Sequence, residues 1–141
     1  MPKSKLFPPG RPLAVTFMSI FVLCITAWNG IRVWAAISAW NTLARFNGAP
    51  AYLLGSGLVW FITGLVLSFS LLTGKRFAWG AMLILSVIYM IWYWVDRLAL
   101  QASPAANSAF SAAVSLIVFA VITAILFWPS SRTFFTRRSH E

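Results

Sequence analysis

The chain has 141 residues, 60% of them hydrophobic and 9% charged, with a mean hydropathy of +0.82. That is too apolar for an ordinary soluble domain and too short for two large ones, so an integral membrane protein is expected. The net charge of +9 and the pI of about 11.3 do not point to nucleic acid, because the basic residues stand at the ends of apolar runs instead of clustering on a soluble face.

Residues 1–12 carry four prolines with Lys3, Lys5 and Arg11, and read as a basic cytoplasmic lead. A membrane crossing needs about 20 mostly apolar residues, and the first such run covers about 13–31. It is expected to stay in the chain as a span, since no small-x-small pattern closes it and Leu23 before Cys24 does not fit a lipoprotein-type site. Residues 33–46 then place Val33, Ile37, Trp40, Leu43 and Ala44 on one side, with Ser38, Asn41, Thr42 and Arg45 on the other. This pattern predicts a short amphipathic helix at the outer interface, continuous with or bent from the first span.

Asn47-Gly48-Ala49-Pro50 ends that helix and opens the second span, about 51–73. Gly57, Gly64 and Ser68 share a face there and are expected to pack within the chain. Trp60, away from both ends, is expected to face protein or a lipid tail. Thr73-Gly74-Lys75-Arg76 is a minimal turn, so the third span, 77–97, should run back beside the second. Ser103-Pro104 supplies an N-cap and a first-turn proline for the fourth span, 105–128. Ser108, Ser111, Ala112 and Ser115 form overlapping small-xxx-small pairs, which predicts helix contacts on more than one side. Residues 129–141 read as a basic tail meeting anionic lipid at the cytoplasmic face.

The expected fold is all-α: four transmembrane helices in an antiparallel bundle, plus the interfacial helix. A cytoplasmic N-terminus puts Lys3, Lys5, Arg11, Lys75, Arg76, Arg132, Arg137 and Arg138 inside, against Arg32, Arg45 and Arg97 outside, so both termini are expected in the cytoplasm.

Asp96 is the sole acid before Glu141. Arg32 follows Arg11, and Asp96 follows Arg76, by about 20 residues, or about 30 Å of helix, so both belong at the outer boundary. An ion pair of Asp96 with Arg32 or Arg45 is therefore expected to clasp the outer helix ends, with the Tyr93 hydroxyl as a further partner. Trp28, Trp34, Trp40, Tyr89, Trp92, Tyr93 and Trp94 gather toward the same side. They form either an interfacial belt or a platform for a flat ligand such as a quinone, a pigment or a lipid.

No catalytic, cofactor-binding or metal-ligating residue is assigned. The one histidine, His140, lies in the tail, no Cys-x-x-Cys is present, and no His or acid is placed to activate a serine. The expected function is that of a non-catalytic accessory or structural subunit, with no cofactor of its own, in a larger membrane complex of an electron-transfer chain. Its partners would be other membrane subunits and lipids, with no nucleic acid. The alternatives are a small homo-oligomeric transporter or channel, or a lipid- or quinone-binding membrane protein.

The segments Asn29-Gly-Ile-Arg32, Trp40-Asn-Thr-Leu43, Pro50-Ala-Tyr-Leu-Leu-Gly-Ser-Gly-Leu-Val-Trp60 and Tyr93-Trp-Val-Asp-Arg-Leu98 resemble those of uncharacterised four-span bacterial integral membrane proteins. The resemblance covers roughly residues 11 to 100. It implies the four-span fold in a bacterial inner membrane and carries over no activity and no site residue.

Overall fold

The computed structural model describes residues 12–46, 49–100, 107–129 and 131. The lead up to residue 11, Asn47-Gly48, the Ser103-Pro104 cap with Ala105 and Ala106, and the tail from 132 onward lie outside the described residues. Within them the chain is helical, with no strand. Long apolar runs take this form because hydrocarbon offers backbone N–H and C=O groups no partner outside their own segment.

The helices are α1 (Leu13–Ser38), α2 (Trp40–Arg45), α3 (Pro50–Leu72), α4 (Phe77–Val95) and α5 (Ser108–Phe127). A wider π-helical turn, Asp96–Leu100, extends α4. Four helices, α1, α3, α4 with the start of its π turn, and α5, are long and apolar enough to cross a membrane.

The first span is longer than its hydropathy suggested. Nothing between Ile31 and Ser38 breaks a helix, so α1 absorbs the first half of the expected interfacial helix and reaches 26 residues. At 1.5 Å per residue it measures about 39 Å against a hydrocarbon core of about 30 Å. The direction changes at Ala39 (φ −104°, ψ 19°), which leaves α2 with six residues.

Between α3 and α4 the turn falls where the glycine stands. Gly74 has φ 68°, its N–H donates to the Leu71 carbonyl at 3.2 Å, and the Lys75 N–H donates to Ser70 at 3.0 Å. This is a Schellman closure, in which a left-handed residue lets two later amides satisfy the last carbonyls of α3. Gly74→Ala is expected to cost about 1–2 kcal/mol, the penalty of a Cβ in that region. A lower melting temperature in detergent, with helical circular dichroism unchanged, is the readout.

Helix α1 packs along α3 over most of its length. A Cβ on Gly57 would meet Val33 Cγ2 at 2.9 Å, one on Gly64 would overlap the Thr26 side chain, and one on Gly30 would touch Phe61 at 3.1 Å. Partners descend along α1 as positions climb along α3, so the two helices run in opposite directions. Gly57, Gly64 and the buried Ser68 thus lie on the α1-facing or buried side of α3. Close approach of this kind holds helices together where water cannot drive them.

Helices α4 and α5 attach more sparingly. The Trp79 indole N–H donates to the Leu126 carbonyl at 2.9 Å and its ring meets Phe127 edge-on at 5.5 Å. These contacts pin α5 at the Gly74 end of the bundle. The buried core lies at the same end: Val15, Met18, Val22, Leu67, Leu71, Ala78, Met82, Ile122 and Leu126. Toward the Asp96 end this packing gives way to a cavity.

Candidate functional site

Tyr52 stands near the start of α3, and its hydroxyl donates to Asp96 Oδ1 at 2.6 Å. The expected partner was an arginine, but among the described residues Asp96 makes no ion pair with Arg32 or Arg45. Arg32 instead lies over the Trp92 ring, 5.0 Å from its centroid, and Arg45 is exposed on α2. A tyrosine hydroxyl satisfies the carboxylate without requiring a second ion to give up its hydration. Tyr93 does not bind Asp96 either; its hydroxyl accepts from Arg97 Nη1 at 3.3 Å.

The aromatic residues separate into two groups. Trp28, Trp34 and Trp40 are exposed at 62%, 71% and 40%, pointing away from the bundle. Tyr89 and Trp92 instead close on Trp60 of α3, with centroid distances of 4.7 and 5.4 Å, and on each other at 5.4 Å. Trp94 packs edge-on to Tyr93 at 5.8 Å. Behind this group sits Asn29, fully buried in α1, whose Nδ2 donates to the Ile25 carbonyl at 2.9 Å while its Oδ1 has no partner. The amide lies beside the Tyr89 hydroxyl. Tyr52, Trp60 and Asn29 are therefore rim residues that charge counting along the chain did not single out.

Comparison with protein-family models, curated proteins and solved structures finds no match to this chain. What the site does has to be read from its own geometry.

Below the rim, all four long helices line a half-open cavity of about 420 Å³. Its floor, at the core end, is apolar, formed by Phe21, Val22, Leu67, Met82 and Ile122. Higher up, hydroxyls enter the wall: Thr26, Thr63 and Ser86, then Tyr89 and Ser115, then Tyr93 and Ser111 near the rim. Among the described residues no charged side chain lines it.

Several of these hydroxyls are turned back on their own helices. Thr26 donates to Val22 O at 2.8 Å, Ser86 to Leu83 O at 2.8 Å and Ser115 to Ser111 O at 2.7 Å. Such groups keep a lone pair toward the cavity but no free proton. Thr63, with no hydrogen bond among the described residues, retains its proton. Of the small residues expected to contact other helices from α5, Ser111 and Ser115 face this space, Ala112 is half-buried, and Ser108 is exposed.

Met90 and Phe119 belong to two surfaces. They line the cavity, and they also border an apolar groove formed by Val87, Ile91, Trp94, Val95 and Leu98 on the outside of the bundle. Among the described residues these two side chains are the ones common to both surfaces. The arrangement suits retention of an elongated apolar molecule that reaches the cavity sideways. Among the described residues no group of three His, Cys, Asp or Glu side chains comes together.

Proposed function

We propose that this chain is a non-catalytic membrane protein that holds one lipid-type molecule between its helices. The observation supporting this reading is the cavity, ligand-sized at about 420 Å³ and walled by α1, α3, α4 and α5. An empty apolar space of that size would forfeit dispersion contacts along its whole lining, and a hydrocarbon chain restores them. The Asp96–Tyr52 contact then fixes the helix ends around the mouth and takes no part in chemistry.

The test is extraction of the protein purified from its own membranes, with lipid quantified per chain. A stoichiometric lipid is expected, lost in Ser115→Phe, which fills the cavity, and kept in Ile117→Phe on the exposed side of α5. Absence of any retained molecule, or equal loss in both variants, sinks the reading.

A second reading, the accessory subunit of a larger membrane complex, is favoured by one observation. Ala109, Ala113, Ala120 and Ala124 are exposed along one side of α5 together with Leu116 and Phe127, an apolar stripe of small and large residues of the kind that a neighbouring membrane helix covers. The electron-transfer setting suggested by the aromatic content belongs to this reading. Native gel separation after gentle extraction tests it: co-migration with larger subunits supports it, and migration alone removes it.

A further inference from the structure

The polarity of the cavity is graded, and the grading carries information about what would fit. At the core end Phe21, Val22, Leu67, Met82 and Ile122 offer nothing polar. At the other end Tyr93 lines the wall, and its hydroxyl is held by Arg97. Arg97 is only partly exposed and, among the described residues, has no carboxylate partner, because the neighbouring acid has been taken by Tyr52. A guanidinium with unused donors thus stands next to Tyr93, beside the end of a slot that no charged side chain among the described residues lines. From Met82 to Tyr93 the slot follows about three turns of helix, about 16 Å at the helical rise. A volume of about 420 Å³ over that length is narrow and has the width of one hydrocarbon chain.

Resting on the cavity reading above, we propose that the occupant is a single-chain amphiphile with an anionic head. The tail runs down toward Met82 and Ile122, and the carboxylate or phosphate oxygens accept from the Arg97 guanidinium beside Tyr93. Arg97 presents several N–H donors in a planar fork, which suits both kinds of oxyanion. Entry is sideways: the tail passes between α4 and α5 past Met90 and Phe119, so the head never crosses the apolar floor.

The experiment measures equilibrium binding of labelled palmitate and labelled methyl palmitate to the full-length protein in maltoside detergent. The two probes share a tail and differ in head charge. Palmitate is expected to bind on the order of tenfold more tightly than the ester, as one charge-assisted contact allows. Arg97→Gln should bring palmitate down to the ester's affinity while leaving the ester unchanged, and Arg97→Lys should keep part of the preference. Competition with a single-chain lysophosphatidate tells a phosphate head from a carboxylate head within the proposal. Equal binding of acid and ester, or a preference that survives Arg97→Gln, overturns the head assignment and leaves the cavity reading standing. Binding of neither probe, or binding that Ser115→Phe does not diminish, overturns both.

Discussion

Gly64→Ala is expected to destabilise the bundle by about 1–3 kcal/mol, although alanine is the better helix former. The added methyl would overlap Thr26, whose Cβ stands 3.1 Å from the ideal Cβ position and whose hydroxyl is committed to the Val22 carbonyl. Rotating Thr26 away breaks that bond in a buried setting, so α1 and α3 must separate instead. Two other glycines serve as controls. Gly55 and Gly80 have nothing within 4 Å of the new carbon, and alanine at either should be neutral or slightly stabilising. Thr26→Ala in the Gly64→Ala background should recover part of the loss, since it removes the overlapping oxygen and leaves only the tight carbon contact. Thermal unfolding in detergent, run as a double-mutant cycle, measures the coupling. If Gly64→Ala melts like Gly55→Ala, the close α1–α3 approach is not what holds the pair.

The second large effect is at Asp96. Tyr52→Phe leaves a half-buried carboxylate without its 2.6 Å donor and should cost about 1.5–2 kcal/mol, the lower part of the range for hydrogen bonds to charged groups. Asp96→Asn keeps an acceptor for the same hydroxyl and should cost less, about 0.5–1 kcal/mol. Once Tyr52 is Phe, the Asn substitution should cost nothing further or even help, because an amide tolerates the lost donor better than a carboxylate does. Simple addition of the two single effects would mean that the bond contributes no stability. Loss of a measured transport activity in Asp96→Asn, with the melting temperature unchanged, would move the protein into the transporter class.

The four spans were legible because length and apolarity decide them, and so was the turn at Gly74, where one residue type suits the backbone. The first helix's end was legible only in part: a helix continuous with or bent from the first span is expected over 33–46, and the structure carries it on to Ser38 and turns at Ala39, a residue type that marks no helix end.

Asp96's partner was misjudged by weighing charge alone, yet the register was available. With a turn at residues 73–76, Tyr52 lies 21 residues before it and Asp96 lies 20 residues after it. The same count sets Trp60 level with Tyr89, each 13 residues away, and these rings meet at 4.7 Å. Counting outward from the short turn would have paired both. The cavity could not be found this way, since it depends on how four curved surfaces fail to close, and no pair of positions encodes that.

The inward-turned hydroxyls affect events before the bundle exists. Ser19, Thr26, Ser70, Ser115 and Thr123 each donate to the carbonyl four residues earlier, at 2.7 to 2.8 Å. Helices α1, α3 and α5 therefore carry these protons already sheltered, which lets such a helix enter a bilayer without waiting for a neighbour. Among the described residues, the groups whose need their own helix does not meet include the Asp96 carboxylate, the Tyr52 hydroxyl, the Trp79 N–H, Asn29 Oδ1 and Ser68 Oγ. Assembly after insertion is then a search for those few groups' surroundings by otherwise self-sufficient rods.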